Sequence, residues 1–244
     1  MSLDHNREVF EQWGREDPMH AALTRKGYEN DWDPEAFFAR GREEIEGVMK
    51  HLESLDLDPA RDRALDFGCG AGRLTQALAE EFRFAVGIDI AESMVEAARA
   101  YNRHPDRVRF QVNTSDRLEG IDDGTFDFVY SSKTLQHIPP RHAYRYIREF
   151  MRVLRPGGVA VFQIRNGPYI PPDSWRERLY RLRRQHFRRW WRRIRGRPVY
   201  EMHFINRTRV EALIQEEGGR VVDVRDLSTT RPRLSLRIAA ERRG

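Results

Sequence analysis

Residues 64–73 read ALDFGCGAGR, a short apolar run that leads into a glycine-rich turn. The next ten residues have the apolar spacing of an amphipathic helix, so the sequence predicts a strand, a tight turn and a helix in that order. Glycine suits such a turn because it has no side chain to hold the backbone away from a ligand, and because it adopts positive φ readily. By itself this pattern indicates a nucleotide-type binding site.

The spacing of the glycines narrows the kind of ligand. A dinucleotide site has the pattern G-x-G-x-x-G, whereas Gly68, Gly70 and Gly72 are spaced as G-x-G-x-G. Asp66 stands two residues before the first glycine, where a carboxylate would repel a pyrophosphate. An acid at that position suits a cationic group instead, such as the amino end of an amino acid or a sulfonium.

Strands alternate with helices along the rest of the chain, which predicts a parallel sheet with helices on both faces. The predicted strands are residues 63–67, 84–90, 108–112, 126–131, 159–164, 220–227 and 233–241, and the predicted helices are 73–82, 91–101, 142–154 and 208–219. Asp89 ends the second strand, where an acid can accept hydrogen bonds from two ribose hydroxyls. Residues 113–116 (Asn-Thr-Ser-Asp) follow the third strand, where an adenine edge would lie.

The segment before the first strand is predicted to be helical and amphipathic. Asp33-Pro34-Glu35 is a helix start, with an aspartate cap followed by proline at the first helical position. We expect residues 1–58 to form an N-terminal helical cap and residues 59–244 to form the main domain. Within that domain, residues 166–206 are expected to form an arginine-rich insert that covers the substrate.

Four stretches of the chain, in order and in spacing, resemble the class I S-adenosylmethionine-dependent methyltransferases over roughly residues 62–165. LDFGCGAGR resembles the family's glycine-rich motif, and VGIDIAESMVEAAR resembles its ribose-binding motif. FDFVYSSKTLQHIPP resembles the fourth strand with its following loop, and EFMRVLRPGGVAVFQI resembles the run into the fifth strand. The resemblance implies a Rossmann-like α/β fold with a seven-stranded, mostly parallel sheet, an antiparallel last strand and an insert after the fifth strand.

The same resemblance implies S-adenosylmethionine as the cofactor and S-adenosylhomocysteine as the product. It also assigns a position around the cofactor to each matching residue. The implied site has Asp66, Gly68, Gly70 and Arg73 around the methionine part, Asp89 at the ribose, Ile90 and Met94 beside the adenine, Ser115 and Asp116 at the adenine edge, and Ser131 and Gln136 near the methionine end.

Three residues are candidates for proton transfer or acceptor binding. His137 lies in the loop after the fourth strand, and its ordinary pKa near 6.5 suits proton removal at neutral pH. The alternative is a histidine that caps a helix or packs. Glu201 and His203 follow the arginine-rich block and could bind a substrate hydroxyl or assist as base, although a structural hydrogen bond or surface pair is the favoured interpretation.

Basic charge is concentrated in one block of the chain. The net charge is +5, and residues 176–197 hold eleven arginines and one glutamate, so the remainder is slightly acidic. Arginine beside tryptophan is compatible with RNA contact, and equally with a basic amphipathic helix at a membrane surface. Because the block lies where substrate lids lie in similar proteins, we favour a few arginines that reach an anionic group of the substrate.

Composition limits the remaining possibilities. Cys69 is the only cysteine, no stretch approaches the length of a membrane span, and the N-terminus lacks the pattern of a secretory signal, so we expect a cytoplasmic protein. No metal-binding constellation stands out, because Gln136 and His137 lack the additional carboxylates of a metal-assisted oxygen methyltransferase. We expect a monomer or homodimer without stable nucleic acid.

These observations predict methyl transfer to a small-molecule acceptor, on an oxygen of a sugar or specialised metabolite, by in-line displacement with His137 as the general base. One alternative is an RNA or protein methyltransferase that docks through the arginine-rich insert. The other is a binding module that keeps the fold without catalysis. The intact Asp66, glycine turn and Asp89 argue against loss of the cofactor site.

Overall fold

The computed structural model describes residues 3–23, 33–167, 201–228 and 235–243, together with the single positions 175, 179, 182, 183, 187 and 190. Most of the arginine-rich block at 176–197 therefore lies outside the described residues, and the predictions made for it stay predictions.

A seven-stranded sheet forms the centre of the molecule. Its strands are β1 (Arg63–Phe67), β2 (Phe84–Asp89), β3 (Val108–Val112), β4 (Phe126–Ser131), β5 (Leu154–Arg165), β6 (Gly219–Asp226) and β7 (Ser235–Arg242). They lie in the order β3-β2-β1-β4-β5-β7-β6. Strands β1 to β5 pair in parallel, whereas β7 runs antiparallel to both β5 and β6. The predicted mostly parallel sheet with an antiparallel last strand is confirmed.

Helices cover both faces of this sheet, as predicted. They are α1 (Asp4–Glu16), α2 (Pro18–Ala22), α3 (Pro34–Glu53), α4 (Arg73–Glu81), α5 (Glu92–Ala100), α6 (Pro140–Val153) and α7 (Arg207–Glu216), with one 3-10 turn at Leu135–His137. Side chains of α3, α4 and α5 pack on one face, and those of α6 and α7 pack on the other.

Alternation along the buried strands explains why both faces are covered. In β5, Val159 and Val161 belong to the core under α3 and α4, whereas Ala160 and Phe162 belong to the core under α6 and α7. Successive side chains of a strand point to opposite faces, so a strand that is apolar at every position must be buried on both sides.

The N-terminal helices divide into two kinds. Helix α3 begins as predicted, because the Asp33 carboxylate accepts a hydrogen bond from the Ala36 amide at 2.9 Å. Its apolar side, including Ile45 and Leu52, shares a core with α4 and the sheet. Helices α1 and α2 instead reach the carboxyl edge of the sheet, where they line a cavity. The division of the chain after residue 58 stays a prediction.

One local prediction differs from the structure. Residues 156–158 (Pro-Gly-Gly) separate the predicted helix 142–154 from the predicted strand 159–164, but they lie within β5, which begins at Leu154. The register between β4 and β5 shifts between Phe126 and Phe128, and this irregularity accommodates the extra residues. The strand order also reverses between β1 and β4, which opens a crevice outside their carboxyl ends.

Candidate cofactor and acceptor site

A large cavity occupies this crevice. Counted with the open space at its mouth, it measures about 1000 Å³. Its walls come from the ends of β1, β2 and β4 and from the two N-terminal helices. The first helices contribute Leu3, Asn6, Phe10, Ala21 and Ala22.

The glycine-rich turn forms the floor of the cavity. Gly68 and Gly70 both have positive φ, +77° and +52°, which confirms the conformational reason for glycine. The amides of Gly68 and Cys69 donate to the Ile88 carbonyl oxygen at 2.7 and 3.0 Å, so the turn is tied to the end of β2. A side chain at residue 68 would also collide with Thr134, because an added Cβ would lie 2.2 Å from its hydroxyl oxygen.

Asp89 lines the cavity at the end of β2, where the sequence predicts an acid for ribose. Its two carboxylate oxygens accept hydrogen bonds from the Gly70 amide at 2.9 Å and the Ala91 amide at 3.0 Å. Burial raises the pKa of this carboxyl group, and the backbone N–H groups act in the opposite direction. The glycine turn thus holds a half-buried acceptor in a fixed orientation.

The adjoining wall is apolar, with one amide. Ile90, Met94 and Asn113 line the cavity, and the position of Ile90 and Met94 beside an adenine stays a prediction. Ser115 and Asp116 are not among the lining residues. The Asp116 carboxylate contacts the His142 Nδ1 atom at 2.8 Å and also contacts Arg145, while the Ser115 carbonyl accepts from the Tyr146 hydroxyl. Their assignment to the adenine edge stays a prediction.

Asp66 lies behind the glycine turn rather than on the cavity wall. Its side chain is fully buried, and one carboxylate oxygen accepts from the Thr75 hydroxyl at 2.7 Å. The other oxygen, Oδ1, has no hydrogen-bond donor within the described part of the chain. Burial raises the pKa of Asp66 to about 7. A cation in the cavity would favour the ionised form through its field.

Arg73 lines the cavity but is tied to a residue that sequence analysis does not single out. Its guanidinium contacts the Glu44 carboxylate at 2.9 Å. Glu44 also accepts from the hydroxyls of Tyr130 and Ser132, both at 2.8 Å. Burial raises the pKa of Glu44, but Arg73 and the hydroxyls outweigh it and leave the pKa lowered. No motif marks Glu44, because it lies on a helix outside the recognisable stretches.

His137 lines the same cavity as Asp89. The single 3-10 turn places its ring so that Nδ1 lies 3.0 Å from the Glu201 carbonyl oxygen. A carbonyl oxygen can only accept, so Nδ1 carries the proton and Nε2 carries the lone pair. The Gln136 side-chain amide lies 3.3 Å from Nε2. Burial lowers the pKa of His137, against the effect of the Glu201 carbonyl, so the neutral ring is favoured.

The remaining predicted residues lie outside the cavity wall. The buried side chains of Glu201 and His203 lie 3.4 Å apart, and the His203 amide donates to the Gln136 carbonyl oxygen at 2.6 Å. Glu201 reaches the site through its main-chain oxygen. The Ser131 hydroxyl donates to the Phe67 carbonyl oxygen at 3.0 Å. These contacts fit supporting roles, while direct roles in catalysis or binding stay predictions.

Helix α1 completes the end of the cavity near His137. The Asn6 side-chain amide donates to the His137 carbonyl oxygen, and the Phe10 ring meets the imidazole edge-on with 5.5 Å between ring centroids. These contacts were not anticipated, because the first helix carries no motif and only its amphipathic spacing is visible in the sequence.

Within the described ranges, no group of three or more histidine, cysteine, aspartate or glutamate side chains is arranged to hold a metal ion. Among the same residues, no helix has the length and apolar character that crossing a membrane requires.

A doubly wound sheet, a glycine turn after its first strand and an acid at the end of its second define a Rossmann-like domain with a nucleoside-type site. Residues 64–158 match the family model described as a methyltransferase domain, so this part of the chain is similar to methyltransferase domains.

Two curated relatives illustrate the sequence similarity. The chain is 26% identical over 187 residues to the 2-methyl-6-phytyl-1,4-hydroquinone methyltransferase of Synechocystis, covering 74% of this chain and 58% of that protein. It is 31% identical over 139 residues to the ubiquinone biosynthesis O-methyltransferase of Xanthomonas axonopodis, covering 57% of this chain and 55% of that protein. The chain thus spans little more than half the length of these relatives.

A solved structure supports the fold. The magnesium protoporphyrin IX methyltransferase of Synechocystis PCC 6803, crystallised with bound SAH, superimposes with a TM-score of 0.63 at 17% identity. The match covers 99% of this chain and 100% of the Synechocystis chain. At this identity the likeness shows that both chains share the fold.

Proposed function

We propose that the protein transfers a methyl group from S-adenosylmethionine to a hydroxyl oxygen of a small molecule. The observation that carries this proposal is the joint position of Asp89 and His137 in one cavity. Asp89 would supply a fixed acceptor for ribose hydroxyls, and His137 would supply a neutral imidazole. The names of the curated relatives, both methyltransferases of hydroquinone or ubiquinone type, agree with a small-molecule acceptor.

The residues present fit the cofactor chemically. Asp89 would accept from the ribose hydroxyls, and Ile90 and Met94 would pack against the base. The glycine turn would allow the amino-acid end to approach the backbone, and Asp66 would favour its positive charge through the field behind the turn. When bound, the cofactor supplies a methyl group that its sulfonium makes electrophilic.

His137 would act as the general base for the acceptor hydroxyl. Because Nδ1 donates to the Glu201 carbonyl oxygen, the lone pair lies on Nε2, where the acceptor hydroxyl would replace the Gln136 side-chain amide at 3.3 Å. A hydroxyl is a weak nucleophile until its proton is removed, so a neutral imidazole within hydrogen-bond reach would increase the rate. Asn6 and Phe10 would hold the loop and the ring in place from the N-terminal helix.

The cavity would contribute mainly by positioning. An in-line displacement needs the acceptor oxygen at about 3 Å from the methyl carbon, on the side away from the sulfur. Leu3, Phe10 and Ile138 supply apolar side chains to the cavity wall that also contains His137. We favour a sugar or specialised metabolite whose apolar body packs against this wall and whose hydroxyl faces His137.

Calorimetric titration with S-adenosylmethionine, and separately with S-adenosylhomocysteine, tests the cofactor assignment. We expect both to bind with dissociation constants in the micromolar range, which corresponds to a binding free energy of about −8 kcal/mol. Protein that folds but binds neither would refute the assignment and favour a binding module without catalysis. Transfer of labelled methyl groups to paired hydroxyl and amine acceptors then tests the predicted preference for oxygen.

A further inference from the structure

Lys133 is a basic residue in the cavity wall to which the proposed chemistry gives no role. It follows β4 and lies four residues before His137, in the loop that carries the candidate base. Its residue is exposed rather than packed away, and it is one of only three lysines among 43 lysines and arginines. A chain that uses arginine almost everywhere thus places a compact ammonium group at this position.

The backbone of Lys133 adopts a conformation that lysine rarely takes. Its φ is +61°, in the left-handed region that favours glycine and asparagine. Such a conformation disfavours a side chain that carries a Cβ, and it occurs where the surrounding structure imposes it, often at ligand sites. The flanking residues impose it here, because the Ser132 hydroxyl donates to Glu44 at 2.8 Å and Thr134 packs against Gly68.

Two cations near Lys133 are already paired. Arg73 lies 2.9 Å and Arg237 lies 3.5 Å from the Glu44 carboxylate, so these two guanidinium groups share one anion. Lys133 makes no hydrogen bond or ion pair with any described residue. The residue is exposed overall, but partial loss of solvent around its ammonium group lowers its pKa, Glu44 acts in the opposite direction, and Arg73 and Arg237 lower the pKa further. The charges that act on Lys133 are therefore those of two guanidinium groups and one carboxylate, and Lys133 is a cation without a partner among the described residues.

We propose that Lys133 binds a carboxylate of the acceptor and so selects acidic hydroxy compounds over neutral ones, an inference that rests on the proposed methyl transfer. Among the described residues of the cavity wall, Arg73 is already paired with Glu44, and the single ammonium of Lys133 matches the single charge of a carboxylate better than the double charge of a phosphate. The position of Lys133 in the same loop as His137 would place the acceptor hydroxyl toward the imidazole once its acidic group is held.

The test compares acids with their amides on protein loaded with S-adenosylhomocysteine. The probes are 4-hydroxybenzoate and 3-hydroxypropanoate, each titrated beside the corresponding amide. We expect the wild-type protein to bind at least one acid about tenfold more tightly than its amide, as an ion-paired hydrogen bond allows. Lys133→Asn should remove this preference without distorting the loop, because asparagine tolerates positive φ. Lys133→Arg should retain most of it.

Two controls separate the possible outcomes. Lys50→Gln removes an exposed lysine from α3, where Lys50 pairs with Glu46, and should leave the preference unchanged. Direct titration of each variant with S-adenosylhomocysteine should give the wild-type affinity. The proposal is overturned by a wild-type protein that prefers neither acid, by a preference that survives in Lys133→Asn, or by a loss of cofactor affinity in that variant. If the wild-type protein does not bind S-adenosylhomocysteine, the proposed function fails, and the acid preference is measured on unloaded protein.

Discussion

The Nδ1 atom of His137 lies 3.0 Å from the main-chain carbonyl oxygen of Glu201, although 64 residues separate them in the chain. This contact fixes the proton on Nδ1 and leaves the Nε2 lone pair for another partner. The segment that returns to the sheet before α7 therefore sets the tautomer of a side chain in the cavity. Glu201, which the sequence analysis considers for its carboxylate, contacts His137 through its main-chain carbonyl oxygen.

Replacing His137 by glutamine should lower turnover with a hydroxyl acceptor about 100-fold, because the proton acceptor is lost. Burial lowers the pKa of His137 below 6.5. With S-adenosylmethionine saturating, the wild-type kcat/KM for the acceptor should therefore rise with pH up to a pH below 6.5 and stay level above that pH. Steady-state kinetics between pH 5 and 8 measure both effects.

The His137 prediction has a matched control and a clear contrary result. His104→Gln changes a histidine outside the cavity and should leave the pH profile intact. Affinity for S-adenosylhomocysteine should stay within about twofold in both variants, as expected for a residue that acts on the acceptor. An equal fall in cofactor affinity and in turnover would indicate that His137 supports the fold of the cavity instead.

Asp89→Asn should weaken binding of S-adenosylhomocysteine at least tenfold, because a charged acceptor for two ribose hydroxyls becomes a neutral one. The amide oxygen can accept from only one of the Gly70 and Ala91 amides, so we expect a modest fall in melting temperature, and circular dichroism checks that the variant is folded. Asp106→Asn, at an exposed position, serves as the control. Unchanged affinity in Asp89→Asn would remove the ribose assignment.

Without ligand, Asp66→Asn should be more stable relative to the wild-type protein at pH 8 than it is at pH 5. The folded-state pKa of Asp66, about 7, lies above the ordinary value of 3.8, so the folded state of the wild-type protein loses stability through this interval. An asparagine has no proton to release. Melting temperatures at pH 5 and pH 8 should therefore diverge by a few degrees, and parallel curves would contradict the raised pKa.

The same substitution tests the field behind the glycine turn. Wild-type affinity for S-adenosylhomocysteine should fall as the pH decreases from 7.5 to 6, because protonated Asp66 no longer attracts the amino group. In Asp66→Asn the affinity should be lower and nearly independent of pH in this range. Calorimetry at both pH values measures it, and a wild-type affinity that does not respond to pH would exclude the electrostatic role.

Glu44→Gln should destabilise the fold by about 3 kcal/mol, because two guanidinium groups would lose their shared buried anion. The pKa of Glu44 is lowered, so its stabilising effect is present above the ordinary value of 4.5 and is lost as the pH falls through the folded-state value. Urea unfolding at pH 7 measures the loss. Glu46→Gln, an exposed change on the same helix, should leave the unfolding midpoint unchanged.

Local patterns in the sequence were sufficient for the strands, the helices and the cofactor turn. The period of apolar residues predicts β1 and α4, and the Asp33 cap predicts the start of α3, because these features depend on neighbouring residues and on burial of one face. The same holds for Asp89, Ile90 and Met94, which line the cavity because a strand end and the first turn of a helix fix their directions.

The chain by itself therefore determined the sheet, the glycine turn and the acid that follows β2. Only the tertiary structure decided that Asp66 lies behind the turn, that Glu44 pairs with Arg73 and Arg237, and that the Glu201 carbonyl orients His137. Each of these contacts joins elements that are distant in sequence and carry no shared pattern. Hydrogen bonds and ion pairs depend on distances of about 3 Å between atoms, and such distances are set only when the helices and strands pack.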